Sequence, residues 1–202
     1  MNNIVFSLND SNYITIALKE RLALVNFCSA ALIILCFRGK KYQVVEDSLY
    51  YYMDLFHTLL TKAIHNKFRL HESINDDIGY LGNESFQNKL YLVYEGPDDE
   101  WVGEKHSLWA GNGFATWLYN DVNGAIILEI APFYPFHYKN FEDDSFFIPY
   151  EEWIKQYAPY LLQEIPKKVA QQWLHQIDSL LVTIRENTER EQVAYEDKCA
   201  KK

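Results

Sequence analysis

Residues 114–133 read FATWLYNDVNGAIILEIAPF, and their reading decides the fold class. Two runs rich in β-branched and aromatic residues, 114–119 and 125–133, flank Asn120-Asp121-Val122-Asn123-Gly124. An Asn-Gly pair closes tight hairpins because both residues tolerate a left-handed backbone. Alternation turns Leu128 and Ile130 inward and so predicts a solvent-facing Glu129. Pro132 and Pro135 lack the N–H that a central ladder needs, so the second strand ends there. Residues 86–94, FQNKLYLVY, alternate well enough for a further strand. An antiparallel sheet of about three to five strands is expected across the middle of the chain.

Helices are expected on either side. On the N-terminal side, a strand-like piece at residues 4–8 leads into apolar positions Ile14, Leu18, Leu22, Val25, Cys28, Leu32 and Leu35. That spacing fits a helix, capped at Asp10, Ser11 or Asn12 and stopped by Arg38-Gly39-Lys40-Lys41. Residues 22–37 carry no charge, but the run contains Asn26 and Ser29 and is shorter than the twenty or so residues of a membrane span, so a buried helix is expected. A second helix carries Leu49, Met53, Phe56, Leu60 and Ala63, with Tyr50-Tyr51-Tyr52 placing a phenol at the core boundary. On the C-terminal side, Pro149 opens a short helix. Pro166 opens a longer one with the stripe Val169, Trp173, Ile177, Leu180 and Ile184. The fold class is therefore α+β, a small antiparallel sheet packed against N-terminal and C-terminal helices, in one domain over residues 1–190 with a charged tail at 191–202.

The chain has 202 residues, 49% hydrophobic and 16% aromatic, which is enough to bury a sizeable core. Three cysteines, Cys28, Cys36 and Cys199, make no disulfide framework, and the first two read as buried hydrophobes. The opening MNNIVFSLND has neither a basic n-region nor a small-residue cleavage site, so a reducing cytoplasm is the expected setting. The formal charge of -9 argues against nucleic acid as a partner, because phosphate backbones are held by basic footprints.

Catalytic templates are missing. His57 and His65 lie two turns apart on one helix, too far to share a metal unaided. His175 and Asp178 pair across a turn at the surface. Gly111-Asn112-Gly113 lacks the lysine of a phosphate loop, and Asp121-Val122-Asn123-Gly124 is half a calcium loop without its closing glutamate. No cofactor, metal or catalytic residue is assigned from these patterns.

The charge is uneven. Residues 72–152 hold sixteen acids against Lys89, Lys105 and Lys139, and seventeen of the thirty-two aromatics. Acids and rings interleave at Asp98-Asp99-Glu100-Trp101 and from Tyr138 to Glu142-Asp143-Asp144. Aromatic anchors with clustered carboxylates suit a surface that steers and holds a cationic protein. The alternative is a solvated acidic face over an aromatic core. Asp98, Asp99, Glu100, Trp101, Tyr138, Glu142, Asp143 and Asp144 are the candidate partner-binding residues.

In general character, and in the pattern Tyr150-Glu151-Glu152-Trp153, Tyr157-Ala158-Pro159 and Trp173-Leu174-His175, the chain resembles immunity proteins of bacterial polymorphic-toxin and contact-dependent growth inhibition systems. That resemblance implies a one-to-one inhibitor of a cognate toxin domain, often a basic nuclease, whose phosphate-binding cleft the acidic segment would fill. It assigns no residue as a known contact, and it leaves open whether the chain is a monomer or a homodimer. Two rivals remain: a small metal-dependent hydrolase built from His65, His71, His106 or His137 with Asp76 or Asp77, and an assembly subunit that associates through residues 22–37.

Overall fold

In chain order the elements of the computed structural model are β1 (Asn2–Asn9), β2 (Asn12–Leu18), β3 (Ala30–Phe37), β4 (Lys40–Gln43), β5 (Asp47–Ser48), α1 (Leu49–Ile64), α2 (Ile78–Ser85), β6 (Tyr94–Glu95), β7 (Glu100–Trp101), β8 (Ser107–Gly111), β9 (Phe114–Asn120), β10 (Ile126–Pro132), α3 (Tyr150–Trp153), β11 (Leu161–Ile165) and α4 (Lys167–Ala200). The structure describes residues 2–87, 89–136 and 146–200. The class is α+β, with antiparallel sheets of five, four and two strands among the described residues. The chain divides into two compact units: Met1–Ile64 together with Pro166–Lys202, and His65–Ile165.

In the first unit β1, β2, β3 and β4 form an antiparallel meander, with β5 also on β3. This corrects the helix expected through residues 12–38. Residues 12–18 and 30–37 are strands, and Leu22–Leu24 is one turn of 3-10 helix. The 3-4 spacing that suggested a helix coexists with a period of two. Ile14, Ile16 and Leu18 are buried on β2, and Ala31, Ile33 and Leu35 on β3, so one sheet face collects them all. Arg38 and Gly39, expected as a helix stop, form the two-residue turn between β3 and β4, with φ of 50° and 76°. Both positions of such a turn need a left-handed backbone.

The helix α1 buries the expected Leu49, Met53, Phe56, Leu60 and Ala63, and the Tyr52 hydroxyl donates to the Val45 carbonyl. Trp173, Ile177, Leu180 and Ile184 of α4 are buried as expected. Trp173 packs its ring near Phe6 and Phe56 and donates its indole N–H to the Ser7 carbonyl at 3.1 Å. The helix continues through the charged segment to Ala200. On the way Asn187 donates to the Val25 carbonyl at 2.8 Å and Thr188 Oγ1 accepts the Phe27 N–H at 3.1 Å, which fixes the connection between β2 and β3. Cys36 is buried, but Cys28 in that connection is exposed, contrary to expectation. Asp178 meets His57 at 2.9 Å in place of the expected His175.

In the second unit the strands lie in the order β11, β10, β9, β8, all antiparallel. The hairpin of β9 and β10 forms as expected, with Leu128 opposite Leu118 and Ile130 opposite Thr116. Its turn is held by Asp121 Oδ1, which accepts the backbone N–H groups of Asn123 at 2.9 Å and Ala125 at 2.7 Å, and Gly124 takes φ 85°. The strand expected over residues 86–94 reduces to Tyr94, in the short pair β6 and β7, because residues 78–85 form α2 and the chain turns directly after it. The edge strand β11 has no counterpart in the sequence reading.

One face of this sheet is covered by α2. A Cβ at Gly79 would stand 2.2 Å from Ala131 Cβ, and one at Gly82 would stand 2.7 Å from Trp117. Glycine at these positions lets helix and sheet approach this closely. Ile78, Leu81, Trp101, Ala115, Trp117 and Ala131 pack together there.

Candidate functional site

The second unit carries an acidic hairpin, a buried carboxylate centre and a cleft. In the hairpin, Tyr94 pairs with Trp101 and Glu95 with Glu100, and Gly96 (φ 86°) and Asp99 (φ 51°) turn the chain. Asp98, Asp99 and Glu100 are exposed. Trp101 is buried and meets Trp117 edge-on with ring centroids 5.8 Å apart. The indole thus fastens the hairpin to the domain while the three acids project from it. Two carboxylates directly opposite across a strand pair repel. Glu95 and Glu100 are such a pair, and the Glu104 carboxyl is raised from its ordinary value first by burial and then by the charge of Glu100. Among the described residues the one basic side chain within ion-pair distance of this cluster is the His71 imidazole, whose Nε2 lies 3.7 Å from Glu95. Tyr138, Glu142, Asp143 and Asp144, the other candidate partner residues, lie outside the described residues.

Glu129 is the residue that sequence reasoning placed wrongly. It is 0% exposed, although Leu128 and Ile130 are buried as expected, because α2 covers the face to which its side chain points. Its Oε1 accepts the Gly79 N–H at 2.9 Å, and its Oε2 accepts the Tyr119 hydroxyl at 3.1 Å. The Tyr157 hydroxyl stands 3.5 Å from Oε1. Burial pushes the carboxyl up to about 7 and outweighs the opposing effect of the Gly79 N–H and the two phenols, while the charge of Asp77 pushes the same way as burial. Both phenols are raised as well, first by burial and then by the carboxylate's charge. The sequence signal was a glutamate inside an otherwise apolar run, which marks a strand buried on both faces.

A second carboxylate on α2, Glu84, accepts the hydroxyls of Tyr91 and Tyr150. Beside it Asn83 donates to the carbonyls of Gly79 and Pro132 and accepts the Tyr134 N–H at 2.8 Å. These bonds tie α2 to the end of β10 and to α3.

A cleft of about 380 Å³ lies between residues 69–74 and the β9 end of the hairpin, lined by Arg69, His71, Glu72, Tyr119 and Asp121 among others. Tyr119 therefore both lines the cleft and donates to the buried Glu129. The histidines offered for a metal site are dispersed in character. His65 is exposed, and His106 is buried with its ring 4.4 Å from that of Phe68. His71 bonds Ser73, and His137 lies outside the described residues. Among the described residues no group of three or more His, Cys, Asp or Glu could hold a metal ion. No helix among them is long and apolar enough to cross a membrane. Compared with known proteins, the chain matches no family model, no curated protein and no solved structure.

Proposed function

We propose that the chain is a binding protein that engages a cationic protein partner through the acidic hairpin of its second unit, in the manner of an immunity protein neutralising a basic toxin domain. The carrying observation is the register of β6 and β7. Glu95 and Glu100 oppose each other, Asp98 and Asp99 crown the turn, and Trp101 is anchored below. Such a cluster stores repulsion that a partner's lysines or arginines relieve, and it speeds their approach.

The test has two parts. Co-expression with the product of the reading frame directly upstream of the gene should restore growth and yield a complex. The absence of both protection and binding would sink the immunity setting. For the surface, the triple change D98K/D99K/E100K should slow association roughly tenfold or more at low salt and flatten its salt dependence. An unchanged association rate would move the binding surface elsewhere, even with protection intact. The folded state should survive these changes, because all three side chains are exposed.

A further inference from the structure

We propose that Glu129 is a proton-operated latch for α2, which seats the helix on the sheet in mild acid and loosens it as the solution becomes neutral. This goes beyond the binding function and does not depend on it. The geometry has three parts. The carboxyl is 0% exposed on a central strand, with the Gly79 N–H at the start of α2 as one of its donors. Around it stand Tyr119 from β9, Tyr157 from the segment after α3, and Asp77 from the residue before α2, while β9 and β11 place Trp117 and Leu162 opposite it in the ladders. None of these neighbours is a cation. Among the described residues an ionised Glu129 therefore has hydrogen bonds but no countercharge, with the charge of Asp77 against it. Finally, α2 is the element whose departure would admit water, since Gly79 sits directly on the carboxylate and on Ala131.

The direction of the effect follows from linkage. In the opened form the carboxyl meets water and titrates near the ordinary glutamate value of 4.5, whereas in the closed form it titrates near 7. A raised closed-state value means that the closed form holds its proton more tightly. Closure is therefore fully favoured below about pH 4.5 and loses ground as the pH rises to about 7, with no further change above that. Each unit of that interval changes the opening equilibrium by about tenfold, on the order of a hundredfold in all.

Hydrogen exchange of the α2 amides in the full chain, corrected for intrinsic exchange, should show this increase in opening between pH 5 and 7.5. The amides of α1 serve as an internal control and should not follow it. E129Q, which keeps an oxygen for the Gly79 N–H and cannot ionise, should abolish the increase. Carbon-detected NMR of the glutamate carboxyls in the wild-type chain should place one midpoint near 7, and this holds whether or not the variant folds. A wild-type Glu129 midpoint near 4.5, equal opening at both pH values, or a full pH response in folded E129Q would each overturn the latch.

Discussion

Replacing Trp173 with alanine should lower the stability of the first unit by about 3–5 kcal/mol, the range found when a large buried aromatic is removed. The indole is 1% exposed. Its ring centroid lies 6.2 Å from those of both Phe6 and Phe56, so three aromatic rings from β1, α1 and α4 meet there. None of them can expand to refill the space. The lost N–H bond to the Ser7 carbonyl leaves an acceptor of β1 without this partner, which adds to the cavity cost. Far-UV circular dichroism during urea unfolding is a suitable readout, because α1 and α4 contribute most of the helix. The midpoint should fall sharply, and W173F should recover much of the loss. A W173A midpoint within about 0.5 kcal/mol of wild type would mean that α4 is not seated through this side chain.

Gly79→Ala is the second large change. Alanine is favoured in a helix by about 1 kcal/mol, so an unpacked α2 would gain stability from it. The position is not unpacked. The new Cβ would lie 2.2 Å from Ala131 Cβ, 2.7 Å from Glu129 Oε1 and 2.7 Å from the Tyr157 hydroxyl. Lifting the helix to make room costs about 1–3 kcal/mol in packing. It also breaks the Gly79 N–H bond to a carboxylate, worth about 1.5–3 kcal/mol. The net expectation is a destabilisation of roughly 2–4 kcal/mol, confined to the second unit and read from the fluorescence of Trp101 and Trp117. Adding Ala131→Gly removes the nearest clash and should restore part of the loss. A neutral or stabilising G79A would show that α2 does not sit this tightly.

How far the sequence disclosed these features depends on how local their causes are. The hairpin of β9 and β10 was legible because its turn is set within five residues, by the Asp121 side chain and a glycine at positive φ. The helices α1 and α4 were legible because each buries a single stripe. The N-terminal sheet was misread because residues 12–37 satisfy two periods at once. Only pairing between β2 and β3, with partners such as Ile16 and Ile33, selects the period of two. Glu129 was misplaced for a related reason. Alternation assigns a strand one wet face, and nothing within β10 announces that α2, some fifty residues earlier, covers that face. Of the candidate partner residues, the exposure of Asp98, Asp99 and Glu100 followed from their charge. The inward turn of Trp101 came from its partner Trp117 on another strand.

The first unit is assembled from stretches that flank the whole of the second. On the ribosome this imposes an order of events. The meander and α1 emerge before the second unit, and Phe6 can meet Phe56 at once, but Trp173 arrives only after about a hundred further residues. At ordinary elongation rates that is on the order of ten seconds. During that interval the nascent N-terminal sheet lacks α4, and its apolar face is open to chaperones or to another nascent chain. The intervening unit emerges during the same wait and is complete in sequence only at Ile165, eight residues before Trp173. Helix α4, made after the second unit, is thus the element that ends the vulnerability of strands made before that unit.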